Sequence, residues 1–133
     1  MQRNTRQRDL IREAIARAGR PLSPREIHAQ SRRGLPGLGI ATVYRHLRRL
    51  VEEGWLVPVE LPGEAARYER SGKAHHHHFR CRRCRRIFEL EGCALKTRRL
   101  APPGFVVEDH EVVLYGLCER CARPARSTQR HPG

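Results

Sequence analysis

Residues 40–70, IATVYRHLRRLVEEGWLVPVELPGEAARYER, join a helical pattern to a short hairpin. Gly54 ends a helical pattern whose apolar positions are Ile40, Val43, Leu47, Leu50 and Val51. Two strand-like runs follow at residues 56–61 and 66–69, and residues 62–65 between them have turn composition. A helix followed by such a hairpin predicts the wing of a winged helix-turn-helix.

Two further helices precede this stretch. The first is predicted over residues 5–18, where one face carries Leu10, Ile11, Ala14, Ile15 and Ala18. Gly19 and Pro21 end it. The second starts at Ser23, an N-cap whose capping box Glu26 can complete, and runs to about Ser31. Three helices and a hairpin make residues 1–70 a winged helix-turn-helix domain.

The composition changes near residue 70. All five cysteines lie between Cys81 and Cys121, together with a run of histidines. Strands are predicted over residues 76–80, 87–90, 105–108 and 111–115. The sequence therefore predicts an α+β protein, in which a small α/β domain over residues 71–122 follows the winged helix and residues 123–133 form a disordered tail.

The chain carries 27 Lys and Arg residues against 14 Asp and Glu, a formal net charge of +13. This excess points to DNA or RNA as partner, because clustered cations release counterions from a nucleic acid. An anionic membrane surface is the weaker alternative. No stretch approaches the roughly 18 apolar residues of a membrane span, and the first residues lack the apolar core of a signal peptide. We therefore expect a soluble, cytoplasmic protein.

Two Cys-x-x-Cys pairs, Cys81 with Cys84 and Cys118 with Cys121, form the strongest motif. Two intervening residues let both thiols of a pair face one ion, and two pairs suit a structural Zn²⁺. The 33 residues between the pairs exceed a minimal zinc ribbon, which predicts a small sheet between them. The alternatives are a disulfide framework, disfavoured without a secretion signal, and a thioredoxin-like motif, disfavoured by the second pair.

The run His75-His76-His77-His78 precedes the first cysteine pair. Alternate side chains of a strand point to opposite faces, so His76 and His78 form one pair while His75 and His77 form another. Glu69 and Glu89 lie close enough in sequence to complete a mixed site. Such donors suit Fe²⁺, Mn²⁺ or Zn²⁺. A surface histidine run without a ligand role is the alternative.

Other histidines and the fifth cysteine receive simpler interpretations. Cys93 is interpreted as a small packed residue. His110 is either a core histidine or a partner of His75 and His77. His28 and His46, on the predicted helices, are interpreted as surface residues.

Residues 39–47 read GIATVYRHL, residues 75–84 read HHHHFRCRRC and residues 115–121 read YGLCERC. These three motifs, in this order, resemble the ferric uptake regulator family of bacterial metal-dependent repressors. The resemblance spans about residues 5–121. It implies a winged-helix domain, a dimerisation domain of α/β character, a structural zinc on the four cysteines and a regulatory metal between the domains.

Carried over position by position, the resemblance implies a regulatory site of Glu69, His76, His78 and Glu89. It implies an additional metal site at His75, His77 and His110. Two positions depart from the family. Pro21 stands where many iron and peroxide sensors have a histidine, which leaves four ligands in the regulatory site. Lys96 stands where the additional site usually has a carboxylate, and Pro102-Pro103 cut short the helix that carries it.

The identity of the regulatory ion follows from the same resemblance. Glu69 matches the iron and manganese sensors, whereas zinc sensors often contribute a cysteine from the wing, where this chain has Arg70 and Ser71. The resemblance therefore favours Fe²⁺ or Mn²⁺. A zinc-uptake regulator and a peroxide sensor are the alternatives within the family.

The leading hypothesis is a homodimeric, metal-activated repressor that controls metal-homeostasis genes and binds a palindromic operator in double-stranded DNA. Its candidate DNA-binding residues are Thr42, Tyr44, Arg45, Arg48, Arg49 and, on the wing, Arg67. Packing against the first helix is the alternative for Tyr44. A constitutive zinc-ribbon nucleic-acid-binding module is the runner-up. A metalloenzyme comes third, because no apolar pocket or nucleophile constellation is evident, and no catalytic residue is predicted.

Overall fold

The structure, a computed structural model, describes residues 2–72, 76–91 and 100–123. It divides into two compact units, Met1–Lys73 and Ala74–Gly133. The first contains α1 Gln2–Ala18, α2 Pro24–Ser31, α3 Ile40–Glu52, β1 Leu56–Val59 and β2 Arg67–Arg70. The second contains β3 His76–Cys81, β4 Ile87–Glu91, β5 Val113–Gly116 and α4 Glu119–Ala122. The predicted α+β architecture with a winged helix is confirmed.

Local signals account for the helices of the first unit. α1 begins at Gln2, earlier than the predicted residue 5, because residues 2–4 contain no helix breaker. α2 has the predicted capping box: Ser23 Oγ accepts from the Glu26 N–H at 3.1 Å, and the Ser23 N–H donates to Glu26 Oε1 at 2.9 Å. Two of the orphan N–H groups at this helix start are thereby satisfied.

The wing is a two-stranded antiparallel hairpin in which β1 is shorter than predicted and β2 is shifted by one residue. Val57 of β1 pairs with Glu69 of β2. A reciprocal pair of backbone hydrogen bonds, 3.0 and 2.8 Å long, joins Leu22 to Tyr68. The connection between α1 and α2 is therefore tied directly to the wing.

Apolar side chains from all three helices and β1 form the core of the first unit. Its buried members are Ile11, Ile15, Leu22, Ile27, Leu38, Val43, Leu47, Leu50 and Leu56. Burial of an aliphatic side chain of this size stabilises the fold by about 1.5–3 kcal/mol. This core holds α3 in place and leaves the opposite side of the helix for other contacts.

The second unit is a three-stranded sheet with strand order β4-β3-β5. β3 pairs antiparallel with β4 and parallel with β5. Within the residues that the structure describes, no helix is both long and apolar enough to cross a membrane.

One predicted strand is wrong. Residues 105–108 form no strand, because they pair with none of the described strands, and Phe105 and Val106 are 69% and 84% exposed. The strand predicted over residues 111–115 is displaced to Val113–Gly116. Cys93, Lys96 and the predicted tail beyond residue 123 lie outside the described residues.

Replacement of Ser23 by alanine removes the side chain that caps α2. We expect Ser23→Ala to lower the free energy of unfolding by about 1 kcal/mol, because the partly buried backbone N–H of Glu26 loses its acceptor. Urea denaturation followed by circular dichroism measures this. Ser23→Asp restores an acceptor and should recover most of the loss; equal destabilisation by both changes would contradict the capping role.

Candidate metal centres and nucleic-acid interface

The four cysteines of the two pairs converge in the second unit. Their sulfur atoms lie within 4.8 Å of one another, and the Sγ atoms of Cys84 and Cys118 are 3.9 Å apart. A tetrahedron with metal–sulfur bonds of about 2.3 Å has sulfur–sulfur edges of about 3.8 Å. The cluster therefore has both the donor set and the dimensions of a four-thiolate zinc site.

The parallel pairing of β3 with β5 brings the two cysteine pairs together. Cys81 at the end of β3 lies opposite Gly116 at the end of β5. The carboxyl ends of parallel strands meet at the same edge of a sheet, so each strand delivers its cysteine pair to one place. The Arg82 N–H donates to the Gly116 carbonyl at 2.7 Å and extends the pairing into the first turn.

The pKa values of two of these thiols also bear on metal binding. Burial raises the pKa of Cys81, but N–H groups of Cys118 and Cys84, each donating to its sulfur at 3.4 Å, outweigh burial and bring the pKa to about 5. Burial and the neighbouring Cys118 thiol raise the pKa of Cys121 to about 12. The pKa values of Cys81 and Cys121 therefore move in opposite directions, and a divalent cation has to displace the proton of Cys121 as it binds.

The described part of the second unit has a small apolar core. Among its described residues, Cys81 and Ile87 are the buried apolar ones, whereas the first unit has a core of nine. A sheet this small does not bury enough apolar surface for independent stability. We therefore expect zinc binding to supply folding free energy to the second unit.

β3 carries a second set of metal-binding side chains at its other end. The imidazoles of His76 and His78 share one face of the strand, with ring centroids 5.0 Å apart. Glu89 lies directly opposite His78 on β4, so its side chain shares that face. The described part of the second unit thus places three of the four predicted regulatory residues on one face of the sheet.

The fourth predicted regulatory residue, Glu69, lies on β2 of the first unit. It is 3% exposed. A carboxylate buried to this degree needs a cation or hydrogen-bond donors to offset its lost hydration. Its placement in the fold is therefore compatible with a role as a metal ligand.

The opposite face of β3 carries His77, which is 5% exposed. Its ring centroid is 5.0 Å from that of His110. The Val112 N–H donates to Nδ1 of His77 at 3.1 Å, so that nitrogen acts as an acceptor from the backbone. The structure brings His77 and His110 together, and His75, the third residue of the predicted additional site, lies outside the described residues.

One face of α3 is exposed and basic. Val43, Leu47 and Leu50 face the core. The exposed positions between them are occupied by Tyr44, Arg45, Arg48 and Arg49, and Tyr44 is 49% exposed. Half-buried Thr42 accepts a hydrogen bond from Nη2 of Arg45 at 3.1 Å. This face presents three guanidinium groups and a phenol, which suit phosphates and base edges.

The wing arginine is less available than those on α3. The side chain of Arg67 is 14% exposed, and its Nη2 lies 3.6 Å from the carboxylate of Glu64. Partial neutralisation by this carboxylate reduces the charge that Arg67 offers to a phosphate.

The interpretation of His46 as a surface residue is wrong. It is 5% exposed, and its Nε2 lies 3.0 Å from Oε1 of Gln7 on α1. The helical pattern could have indicated this burial, because His46 falls three residues after Val43 and four before Leu50, on the apolar side of the helix. His28 is half-buried rather than on the surface, with Nε2 2.8 Å from the carbonyl oxygen of Leu38.

A winged helix with a basic α3 and a second unit with metal-binding side chains define a metal-dependent DNA-binding regulator. The sequence profile of the ferric uptake regulator family matches residues 2–115. The chain therefore belongs to this family and is a metal-responsive transcriptional regulator.

Individual relatives agree with this membership. The ferric uptake regulation protein of Campylobacter jejuni is 29% identical over 122 residues, which cover 88% of this chain and 78% of the relative. The Helicobacter pylori ferric uptake regulator, with three functional metal binding sites, has a TM-score of 0.69 and 27% identity, covering 89% of this chain and 81% of its own. The Francisella tularensis ferric uptake regulator with iron has a TM-score of 0.68 and 26% identity, covering 88% and 92%.

Loss of one zinc thiolate should unfold the second unit. We expect Cys81→Ser protein to lose its zinc and the cooperative unfolding of that unit, since structural zinc contributes on the order of 10 kcal/mol to small domains. Metal analysis and calorimetry measure both. Cys93→Ser is the matched control and should retain zinc. A Cys81→Ser protein that unfolds as the wild type does, without zinc, would contradict this role.

Proposed function

We propose that the chain is a homodimeric repressor of metal-homeostasis genes, which binds a palindromic operator in the cytoplasm when Fe²⁺ or Mn²⁺ occupies its regulatory site. One observation carries the proposal: β3 holds His76 and His78 near its start and Cys81 at its end. The thiolate site suits a permanent zinc, and the imidazole and carboxylate donors suit an exchangeable ion. Separate structural and sensory metals follow from that division.

The regulatory ion would be held by Glu69, His76, His78 and Glu89. Glu69 precedes, and the histidines follow, the short segment that joins the winged helix to the second unit. An ion that binds on both sides of this segment would restrain it. Such a restraint favours the DNA-binding conformation only if the ion binds that conformation more tightly than the others.

The choice of Fe²⁺ or Mn²⁺ rests on the likeness to iron regulators, because the donor atoms alone do not make it. Two imidazoles and two carboxylates suit Fe²⁺, Mn²⁺ and Zn²⁺. The iron-containing relative from Francisella tularensis supports this choice. Zn²⁺ as the regulatory ion is the second candidate.

Dimerisation would use the exposed apolar edge of the second unit. β5 lies at the edge of the three-stranded sheet. Leu114, Tyr115 and Leu117 on and beside this strand are 43% to 49% exposed. An apolar edge strand that stays uncovered invites pairing with another chain. A second copy of the chain would cover this edge, and one operator half-site would then face each copy.

The DNA contacts would come from the exposed face of α3, which would enter the major groove. Arg45, Arg48 and Arg49 would reach guanine edges or phosphates, and Tyr44 a thymine methyl group or a phosphate. Arg67 would contribute a weaker contact to the backbone from the wing, because Glu64 partly neutralises it. A regulator of this kind needs no catalytic residues, and we propose no enzymatic activity.

Truncation of a base-reading side chain should affect specific binding most. We expect Arg45→Ala to cost roughly 1–3 kcal/mol on the operator and much less on a random duplex. Fluorescence anisotropy on both duplexes at constant salt gives the two affinities. Arg17→Ala removes an equal charge from α1, where Arg17 pairs with Glu13 at 3.0 Å, and should change neither affinity strongly. Equal losses on both duplexes would mean that Arg45 does not read bases.

Removal of a regulatory ligand should weaken metal activation before it affects folding. We expect Glu69→Ala and His76→Ala proteins to remain zinc-loaded dimers that need much more Mn²⁺ or Fe²⁺ to bind the operator, because zinc and the dimer edge involve other residues. A metal titration of operator binding measures this. Glu60→Ala, a matched change at an exposed wing residue, should titrate as the wild type does.

A variant on the opposite face of β3 tests whether the two faces are assigned correctly. His77→Ala should have a milder effect on activation, since its site has Lys96 in place of a carboxylate. If His77→Ala abolished activation while Glu69→Ala left it intact, the two faces would have been assigned the wrong way round. Metal-independent operator binding by the wild type would instead favour a constitutive nucleic-acid-binding module.

A further inference from the structure

A polar cleft in the first unit lies between the start of α1 and the exposed side of α3. Its volume is about 230 Å³, and it is lined by Asn4, Gln7, Arg45, His46 and Arg49. Every one of these side chains carries an N–H group that can donate a hydrogen bond, and no carboxylate is among them. The cleft is therefore suited to a negatively charged group that accepts hydrogen bonds.

His46 sets the direction of the hydrogen bonds in this cleft. Its Nε2 lies 3.0 Å from Oε1 of Gln7. Because an amide oxygen only accepts, the ring nitrogen donates in this contact, and the amide nitrogen of Gln7 is left to donate to a group in the cleft. Burial lowers the pKa of His46, and the charges of Arg49, Arg45 and Arg8 lower it further, so the ring is neutral at neutral pH.

The fixed charges around the cleft are positive. Arg45 is oriented by its hydrogen bond to Thr42, and Arg49 extends from the next turn of α3. The nearby carboxylate of Glu53 forms an ion pair with Arg8. Two guanidinium groups thus line a pocket without a carboxylate, and bidentate recognition by arginine favours a phosphate there.

We propose that this cleft binds one phosphate of the DNA backbone. Arg49 would supply charge, and the amide groups of Asn4 and Gln7 would donate to the phosphate oxygens. The inference rests on the proposed function, DNA binding through α3, and extends the interface to α1. A phosphate held between two helices would set the register of α3 in the groove without reading sequence.

Gln7→Glu places a negative charge in the cleft with almost no change in size. We expect it to lower affinity tenfold or more for operator and random duplexes alike, and to reduce the slope of log affinity against log salt by about 0.9 per half-site. Gln30→Glu makes the same change at an exposed position of α2 and should cost twofold or less. Asn4→Asp provides a second variant in the cleft should Gln7→Glu fail to fold, as judged by thermal unfolding.

Duplexes with a single methylphosphonate identify the phosphate. Scanning the substitution along a half-site should reveal one position that weakens wild-type binding strongly and weakens the Gln7→Glu protein little further. A loss in Gln7→Glu that is coupled to no position would assign the cleft to a free anion and overturn the proposal. Equal losses in Gln7→Glu and Gln30→Glu would also overturn it. A wild type that fails to bind operator DNA with metal present would contradict the proposed function itself.

Discussion

The parallel pairing of β3 with β5 is the constraint on which the second unit depends. Its register places Cys81 opposite Gly116 and so gathers two cysteine pairs that lie far apart in the chain. The described residues of this unit bury few apolar side chains. We therefore expect metal binding to supply the stabilisation that an apolar core supplies in larger domains. Within the same cluster the pKa of Cys81 is lowered and that of Cys121 is raised, and a divalent ion would displace the proton that Cys121 keeps.

β3 carries both a cysteine of the thiolate cluster and the histidines of the proposed regulatory site. His76 and His78 project from one face of β3, His77 from the other, and Cys81 ends the strand. Once zinc holds the end of β3, the histidines nearer its start are held at the spacing that a pleated strand imposes. Under the proposed function the structural metal would therefore prepare the regulatory site, and its thiolates would keep the two metals chemically distinct. A single six-residue strand thus carries the side chains proposed for folding and those proposed for sensing.

In the first unit, α3 likewise has two roles. Its apolar side belongs to the core of the first unit, and its basic side is left exposed by the same helical period. His46 sits where these two sides meet and turns a polar ring toward Gln7 of α1. The contact links α3, the helix proposed to read DNA, to α1, so side chains of both helices contribute to one surface.

The features that could be predicted from the amino-acid sequence are those that arise between near neighbours. The helical period of α3, the capping box at Ser23, the hairpin turn and the alternation of the histidine strand each depend on residues a few positions apart. Only the tertiary structure decided that residues 105–108 form no strand, that His46 is buried, and that β5 runs parallel to β3. Each of these outcomes depends on a partner distant in the chain, such as Gln7 for His46, 39 residues away, and local periodicity carries no information about such partners.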